Sequence, residues 1–426
     1  MTIAEIHRLF LQSKAINRNS QTLVPGEMFI GIKGENFDGN QFAAQAIQSG
    51  ATYAIIDNPK YLINHKTILV KDSVQTLQHL AAFHRRYIDI PIIALTGSNG
   101  KTTTKELINA VLSQKFITVA TQGNLNNHIG VPITLLSMDK NTQIGIVEMG
   151  ANHPGEIDFL CNIAQPDYGY ITNFGRAHLE GFGNLQGVIK AKTELYRYLI
   201  QNEKEIFVNT LDLEQVKRTE KAKKITFGTD SSNNTLVEKL ETDNPYIGVK
   251  YNELSIQSHL VGNYNFTNIA AAIAIGEYFK VNPADIKNAI ENYIPKNNRS
   301  QIITKNSNTI LLDAYNANPT SMEAAIESFS SLNAKKKILF LGDMFELGPS
   351  AAEEHQNIVD MLTRKNFQAV YLLGNNFSKT ISQHPNIKKF KSFDDLKDVD
   401  FSKINSAHIL IKGSRGMKME RILDYM

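Results

Sequence analysis

The sequence predicts an α/β protein of three domains, and three observations support this prediction. The chain has 426 residues, which exceeds what a single hydrophobic core usually organises. Short apolar runs typical of strands alternate with helical segments, a pattern that favours parallel sheets. Proline and consecutive asparagines at 294–300 indicate a hinge late in the chain. We therefore expect domains at 1–88, 89–298 and 299–426.

The first block is predicted to be a small α/β unit. Its strands and helices are separated by glycine-containing turns, among them Pro25-Gly26, and its first helix is expected to end at Gly50. The predicted elements, in chain order, are a strand at 28–32, a helix at about 41–49, a strand at 52–56 and a helix at about 73–87.

The second block is predicted to contain a parallel sheet, and the third a doubly wound, Rossmann-like sheet. The polar stretch at 229–244 is expected to be an exposed excursion and not part of the core. Strands of the second block are expected between Pro91 and Gly97 and at 144–148, 168–172 and 205–208. Strands of the third block are expected at about 308–312, 336–341, 368–373 and 407–411, with helices between them.

Composition and charge are those of an ordinary globular protein. Apolar residues make up 42% of the chain and charged residues 20%. The formal net charge of +3 gives no reason to expect nucleic acid, because nucleic-acid binders usually carry a concentrated basic face. Cys161 is the only cysteine, which excludes an internal disulfide and favours a reducing compartment. We expect a cytosolic protein, since the sequence has neither a signal peptide nor a run of about 18 apolar residues.

The segment at 92–107 indicates a phosphate-binding loop. A strand leads into the glycine turn at 97–100, and Lys101-Thr102 then begins a helix. Glycines let backbone N–H groups surround phosphate oxygens, and the helix N-terminus adds partial positive charge. The lysine can reach the β- and γ-phosphates, and the threonine hydroxyl can ligate Mg²⁺. Leu95 stands where the standard motif has its first glycine. The alternative is a glycine turn with an incidental lysine, but the preceding strand and following helix favour nucleotide binding.

Three other side chains could complete a metal site, although each has a plainer explanation. Glu148 ends an apolar strand where nucleotide-binding sheets place a Mg²⁺ ligand; alternatively it is a solvated acid. His178 lies in a glycine-flanked loop, where a surface histidine is the alternative. Lys192 lies on a predicted helix, where a solvated lysine is the ordinary expectation. None of the three would identify a site alone.

Ordered segments across the whole chain resemble the Mur ligase superfamily. The segments of the second block are TGSNGKTT (96–103), GNLNNHIGVP (123–132), EMGAN (148–152), AHLEGF (177–182), AKTE (191–194) and GNYNFTNIAAA (262–272). Those at the boundary and in the third block are NNRSQ (297–301), DAYNANP (313–319), GDMFELG (342–348) and KGSRGMKME (412–420).

Within the superfamily, the third block resembles the branch that adds D-alanyl-D-alanine to UDP-N-acetylmuramoyl-tripeptide. The DNPR-type motif of the diaminopimelate-adding branch is not visible. The first block, through LVPGEMFIGIKGENFDG (23–39), resembles the UDP-binding domain of this branch. One departure is Asn19-Ser20-Gln21, which stands where the branch usually has Asp-Ser/Thr-Arg. The resemblance thus implies a UDP-muramoyl-peptide-binding domain, a central ATP-binding P-loop domain and a C-terminal Rossmann-like ligase domain.

The resemblance implies roles in binding ATP and metal. ATP would be cradled by Gly97, Ser98, Asn99, Gly100, Lys101, Thr102 and Thr103. Asn268 would hydrogen-bond adenine, and Arg299 and Asp313 would contact ATP phosphate and ribose. Thr102 and Glu148 would hold one Mg²⁺ ion and His178 would contact a second.

Lys192 matches the lysine that carries a carbamate in this superfamily and bridges to the second ion. A carbamate turns a neutral amine into an oxygen donor that suits Mg²⁺. The implied catalytic residues are Lys101, Glu148, His178 and Lys192.

The substrate side of the site is predicted less directly. A receptor for the dipeptide carboxylate could form at 412–415, just after a strand and at a helix start, with ordinary helix capping as the alternative. His355 is a further candidate, with a plain helix position as its alternative. The predicted substrate contacts are Asn126, Asn127, Tyr315, Asn316, Lys412, Ser414 and Arg415.

The resemblance implies the last cytoplasmic ligation of a bacterial peptidoglycan precursor. The tripeptide carboxylate would attack the γ-phosphate of ATP, and the dipeptide amine would then attack the acyl phosphate. We expect a monomer whose third block swings onto the second, with no nucleic acid or membrane span involved. The alternatives are a diaminopimelate- or lysine-adding ligase, a folylpolyglutamate synthase-like enzyme, or a nucleotide-dependent switch without ligation.

Overall fold

The computed structural model describes residues 1–241, 245–296 and 298–426. It contains three large sheets that follow one another along the chain, one in each predicted block. The three-part α/β fold class is confirmed, while the residue bounds of the domains stay a prediction. Among the described residues, no helix combines the length and apolar character needed to cross a membrane.

The first sheet has four parallel strands in the order β1-β2-β5-β6. The strands of this block are β1 (Ile16–Asn17), β2 (Met28–Ile30), β3 (Lys33–Gly34), β4 (Phe37–Asp38), β5 (Ala54–Ile56) and β6 (Thr67–Leu69). Its helices are α1 (Ile3–Phe10), α2 (Ala43–Gln48) and α3 (Ser73–Ile88). The predicted elements are present, shorter than expected except for α3. Helix α1 was not predicted, although Thr2 and Glu5 form a capping box at its start.

The second sheet has nine strands in the order β15-β14-β13-β12-β11-β10-β7-β9-β8. The strands are β7 (Ile92–Thr96), β8 (Thr118–Ala120), β9 (Ile144–Glu148), β10 (Tyr168–Ile171), β11 (Glu205–Asn209), β12 (Lys223–Gly228), β13 (Thr235–Leu240), β14 (Tyr246–Tyr251) and β15 (Leu254–Val261). The helices are α4 (Lys101–Leu112), α5 (Gly130–Leu136), α6 (Glu156–Ala164), α7 (Leu179–Phe182), α8 (Leu185–Lys192), α9 (Glu194–Gln201), α10 (Leu213–Arg218), α11 (Asn265–Tyr278) and α12 (Pro283–Glu291).

Two expectations for this block need correction. The sheet is parallel from β8 to β13 but antiparallel at its β13-β14-β15 edge, because β14 and β15 are joined by a tight turn, which only antiparallel strands allow. The stretch at 229–244 is not simply an exposed excursion, because it contains β13. Thr235 and Val237 of that strand are buried while the alternate side chains face solvent. The polar residues at 229–234 and 241–244, on either side of it, hid the strand. Residues 242–244 lie outside the described residues.

The third sheet has six strands in the order β16-β17-β21-β18-β19-β20 and is parallel except for the β16-β17 pair. Its strands are β16 (Gln301–Lys305), β17 (Asn308–Asp313), β18 (Lys337–Gly342), β19 (Ala369–Leu373), β20 (Ile387–Phe390) and β21 (His408–Lys412). Its α-helices are α13 (Pro319–Ser330), α14 (Ala351–Thr363) and α15 (Asn375–Ser378). The segment predicted as a helix start at 412–415 leads instead into the short 3₁₀ helix Arg415–Met417.

The carboxyl ends of the strands determine where a site can form. In the second sheet β7 lies between β9 and β10, and Leu95 pairs with Glu148 near the ends of their strands. In the third sheet β17 and β21 are paired so that Asp313 lies opposite Lys412. Ligands of parallel sheets bind at such carboxyl ends. The loops after these strands meet in one cavity.

A pair of buried histidines joins the first block to the second. His7 Nε2 on α1 lies 3.0 Å from His84 Nδ1 on α3, and His84 Nε2 lies 2.8 Å from the carbonyl oxygen of Met138. Both side chains are buried. Burial lowers the pKa of His7 to about 4 and also lowers the pKa of His84.

This pair predicts a loss of stability in mild acid. Below pH 6.5 the unfolded chain protonates His7 while the folded protein does not, so stability falls as the pH drops towards 4. We expect the urea unfolding free energy to fall less between pH 7 and pH 5 in His7→Phe than in wild type. His79→Gln, which changes an exposed histidine on α3, the helix of His84, is the control and should match wild type. If the unfolding free energy fell equally between pH 7 and pH 5 in wild type and both variants, His7 would not be a source of the acid sensitivity.

Candidate active site

A cavity of about 960 Å³ lies between the second and third blocks. It is lined by the phosphate loop, by loops after β8, β9 and β10, and by loops of the third block. The predicted site residues that line it are Ser98, Asn99, Gly100, Lys101, Thr102, Thr103, Asn126, Asn127, Glu148, His178, Asn268, Arg299, Asp313, Tyr315, Asn316 and Lys412. The predicted site residues outside its lining are Gly97, Lys192, Ser414 and Arg415.

The glycine turn has space only for glycine at its two ends. At Gly97 the backbone φ is 144°, and an added Cβ would lie 1.9 Å from Thr172 Oγ1. At Gly100 φ is 79°, and a Cβ would lie 2.7 Å from Asn268 Oδ1. The close approach of the neighbouring side chains therefore requires glycine at both positions.

Gly97→Ala should lower both stability and ATP affinity. The new methyl group would overlap Thr172 Oγ1. We therefore expect the free energy of unfolding to be about 1–3 kcal/mol lower than in wild type. Gly183→Ala is the control, because Gly183 also has a positive φ (78°) but its added Cβ meets nothing within 4 Å. Thermal unfolding and calorimetric titration with ATP measure the two effects. Equal destabilisation by both substitutions would show that steric overlap is unimportant.

Lys101 is turned back onto its own loop. Its Nζ donates hydrogen bonds to the carbonyl oxygens of Gly97 (2.7 Å) and Ser98 (3.3 Å). Burial lowers the pKa of Lys101, and the charge of Glu148 opposes that shift. The ammonium group thus already lies at the loop where phosphate oxygens would replace the two carbonyls.

Other side chains of the phosphate loop hold its shape. Ser98 Oγ donates to the carbonyl of Gly175 and accepts from the Gly175 N–H, both at 2.9 Å. The Asn99 N–H donates to Asn173 Oδ1 at 3.1 Å. These contacts leave the backbone and Lys101 as the groups best placed to meet a phosphate.

Thr102 and Glu148 form a compact pair of oxygen donors. Thr102 Oγ1 donates to Glu148 Oε2 at 2.9 Å, and Asn126 Nδ2 donates to Glu148 Oε1 at 2.8 Å. Thr102 and Glu148 are buried at the wall of the cavity. A hydroxyl beside a carboxylate is a donor set that fits Mg²⁺. Among the described residues no three His, Cys, Asp or Glu side chains form a complete metal cage, so phosphate and water would supply the other ligands.

His178 and Lys192 have different surroundings. His178 Nδ1 lies 2.5 Å from Glu346 Oε2, a residue of the third block, and contact with His178 lowers the pKa of Glu346. Lys192 is fully buried, with its Nζ 3.2 Å from the Ala151 carbonyl oxygen and 5.4 Å from the centre of the Phe182 ring. The pKa of Lys192 is held well below its usual value. Burial is the larger cause, and the positive charge of Lys101 is the second.

The three residues predicted to contact adenosine and phosphate lie in the cavity wall. The Asn268 amide accepts from Thr104 Oγ1 (3.0 Å) and donates to Asn265 Oδ1 (2.8 Å). The guanidinium carbon of Arg299 lies 3.4 Å from the centre of the Tyr315 ring, and its Nε is buried with no hydrogen-bond partner in the described part of the chain. Asn297, which begins the predicted NNRSQ segment, lies outside the described residues.

The residues predicted to receive the dipeptide carboxylate have partners within the protein. Lys412 lines the cavity, but its Nζ is paired with Asp313 Oδ2 at 2.5 Å. Ser414 is buried, and its Oγ accepts from the Phe345 N–H and donates to the Ala317 carbonyl. Arg415 is exposed and pairs with Glu420. The three do not converge on one point, because strand pairing and the 3₁₀ turn direct them differently.

Two more candidates serve structural roles. Asn127 lines the cavity, but its Oδ1 accepts from the N–H groups of Ile129 and Gly130 at the start of α5. His355 is fully buried on α14, where its Nε2 accepts from the Met344 N–H, so it is a core histidine outside the cavity lining. In the first block, Asn19 accepts from the Gln21 N–H and shapes a turn.

Sequence reasoning missed the residues that join the third block to the second. Arg176 pairs with Glu323 (2.5 Å) and Glu354 (3.5 Å), and Asn318 donates to Asn99 Oδ1 (2.7 Å). Glu346 was within the recognised GDMFELG segment but was given no role. No local spacing links these residues, so only a family alignment could have indicated them.

Comparisons with known proteins match successive parts of the chain to one family. Residues 13–91 match the catalytic domain of the Mur ligase family, 95–276 the Mur ligase middle domain, and 298–415 the Mur ligase, glutamate ligase domain. The chain is 35% identical to the UDP-N-acetylmuramoyl-tripeptide–D-alanyl-D-alanine ligase of Bacillus subtilis, over 95% of this chain and 91% of the relative.

Two solved structures extend the comparison. MurF from Acinetobacter baumannii superimposes with a TM-score of 0.86 at 30% identity, covering 100% of this chain and 98% of that chain. The MurF ligase of Thermotoga maritima in complex with ADP superimposes with a TM-score of 0.84 at 26% identity, covering 97% of both chains.

Proposed function

The chain belongs to the Mur ligase family, and from that membership we propose that it is an ATP-dependent ligase joining D-alanyl-D-alanine to UDP-N-acetylmuramoyl-tripeptide. The reaction completes a peptidoglycan precursor in the bacterial cytoplasm. The observation that carries the proposal is the single cavity in which the phosphate loop, the Thr102–Glu148 pair and third-block side chains converge. The name of the 35% identical relative supports the choice of substrates.

The phosphate end of the site activates the carboxylate. Lys101 exchanges its two carbonyl contacts for β- and γ-phosphate oxygens. Magnesium held by Thr102 and Glu148 would neutralise phosphate charge. An oxygen of the tripeptide carboxylate bonds to the γ-phosphorus and ADP leaves, which yields an acyl phosphate. Arg299 would contact the transferred phosphate, and this role is supported by its place in the cavity lining and by an Nε that has no hydrogen-bond partner among the described residues.

The second half of the reaction forms the amide bond. The dipeptide nitrogen, once its ammonium has lost a proton, attacks the acyl carbon, and inorganic phosphate leaves with the oxygen it received. Holding the two reactants side by side supplies most of the remaining rate enhancement. A cavity between two blocks suits this need, because closure excludes water that would hydrolyse the acyl phosphate. We propose that the third block moves onto the second when ATP binds.

Lys192 is proposed to carry a carbamate. Its amine adds to CO₂, a nitrogen–carbon bond forms, and one proton is released. The reaction needs a neutral amine, and burial favours that form of Lys192. The carbamate and His178 would hold a second Mg²⁺. We further propose that the first block binds the UDP moiety, that the domains divide at 88 and 298, and that the enzyme is a monomer.

A substrate-dependence assay tests the function. The purified protein is incubated with ATP, Mg²⁺, UDP-N-acetylmuramoyl-tripeptide and D-alanyl-D-alanine, and ADP release and product mass are followed. We expect sustained ADP release, beyond a single turnover, only when both peptide substrates are present. ADP release that needs neither substrate would identify a nucleotide switch. A requirement for diaminopimelate or lysine with the muramoyl dipeptide would identify another branch of the family.

A further inference from the structure

The loop at 343–348 of the third block lies against helix α7 of the second. The Glu180 N–H donates to the carbonyl oxygen of Glu346 at 3.1 Å. At Gly348, where φ is 52°, an added Cβ would lie 3.3 Å from the Glu180 Cα. Glu346 itself has a φ of 60°, in the left-handed region. The loop is therefore held against α7 through its backbone, in a conformation that places one particular side chain.

That side chain is the Glu346 carboxylate, which reaches the imidazole of His178. Its Oε2 lies 2.5 Å from His178 Nδ1, and both residues line the cavity. His178 precedes α7 and also has a left-handed φ, 52°. The two atoms are at ion-pair distance, although the carboxylate lies off the hydrogen-bonding direction of the ring nitrogen. Nδ1 thus faces Glu346, and Nε2 is the ring nitrogen left for a ligand. A carboxylate on one nitrogen of a histidine fixes the tautomer and orientation of the ring for a ligand on the other.

Other contacts between the two blocks do not involve His178. Arg176 pairs with Glu323 and Glu354 of the third block, and Asn318 donates to Asn99. None of these contacts includes the imidazole of His178. The Glu346 contact is different, because it forms between the two blocks and also touches His178, a proposed metal ligand.

We propose that Glu346 is a positioning residue that orients the His178 ring from the opposite block. His178 then presents Nε2 in its working orientation only when the third block is docked on the second. This inference rests on the proposed function of the site, since His178 is assigned to metal there. It adds a residue to the reaction machinery and makes block closure a condition for assembling the site.

The test compares two isosteric changes at one interface. Glu346→Gln weakens the contact with His178, whereas Glu323→Gln removes only one of the two partners of Arg176, so the blocks should stay docked and the His178 contact should remain. Glu353→Gln, an exposed carboxylate of the same block, is the neutral control. The first readout is the ¹⁵N shifts of the His178 ring in metal-free protein, assigned with His178→Asn. The second is Mn²⁺ affinity in the presence of ADP. The third is the separate measurement of kcat and of KM for D-alanyl-D-alanine.

We expect Glu346→Gln to move the His178 ring shifts and to weaken Mn²⁺ binding or kcat by about 10- to 100-fold. The KM for D-alanyl-D-alanine should change little. Glu323→Gln should leave the ring shifts and Mn²⁺ affinity at wild-type values. Ring shifts and Mn²⁺ affinity unchanged in Glu346→Gln would overturn the proposal, as would equal effects in Glu323→Gln.

Two further comparisons keep the test decisive. If Glu346→Gln does not fold, Glu346→Asp replaces it, since a shorter carboxylate should give an intermediate ring shift; a wild-type shift there overturns the proposal. The ring shifts do not depend on catalysis. A protein that ligates no dipeptide but shows the Glu346-dependent shifts would refute the proposed function and retain the positioning contact.

Discussion

Lys101→Ala should abolish measurable ATP turnover while leaving the fold intact. The substitution removes the ammonium group that contacts the glycine turn through the carbonyls of Gly97 and Ser98. Loss of one preorganised charge at a transferring phosphate typically costs about 10²–10³-fold in rate. The fold should survive, because the Nζ bonds only its own loop and burial already disfavours its charge. Steady-state ADP release and thermal unfolding measure the two expectations.

The matched control for Lys101 is Lys115→Ala. Lys115 is exposed beyond the far end of the same helix, where its Nζ bonds the carbonyls of Phe279 and Lys280. That variant should turn over ATP at the wild-type rate. Wild-type turnover in Lys101→Ala would refute the phosphate role of Lys101, and with it the nucleotide assignment of the loop.

Lys192→Ala should lose nearly all ligase activity, and a small carboxylate such as acetate should partly restore it. The native side chain is fully buried beside the Ala151 carbonyl and the Phe182 ring. Truncation leaves a space in which a carboxylate can replace the carbamate oxygens. Lys192→Met fills the same space without an amine, so it should be inactive and resist rescue. Rates with and without acetate, measured for both variants, test this difference.

A second experiment on Lys192 looks for the modification itself. Native-state mass measurement in bicarbonate should detect a gain of one CO₂ in wild type and none in Lys192→Met. Lys190→Ala changes an exposed lysine of the same helix and should retain both the mass gain and activity. Near-normal turnover in Lys192→Met would eliminate the carbamate from the mechanism.

The sequence alone predicted the features that depend on neighbours along the chain. The run before Gly97 is β-branched and the residues after Gly100 favour a helix, so the phosphate loop and α4 followed directly. Glu148 was placed correctly because it ends an apolar strand beside that loop. Strand β13 was missed because polar segments flank it on both sides and its exposed positions include Glu238 and Lys239, so a strand this short resembles a loop. Local patterns thus predicted the fold class and half of the site.

The tertiary structure decided which candidates meet. Lys192 was an ordinary helical lysine by sequence, and only the packing of α7 and α8 makes it a fully buried amine whose pKa burial lowers. Ser414 and Arg415 matched a motif, yet the pairing of β21 and the turn after it leave both outside the cavity lining, with the Arg415 guanidinium 5.8 Å from the Tyr315 ring. Glu346 reaches His178 from a separate sheet, far along the chain. The physical reason is that spacing determines which face a side chain occupies, whereas contacts between blocks depend on how those faces dock.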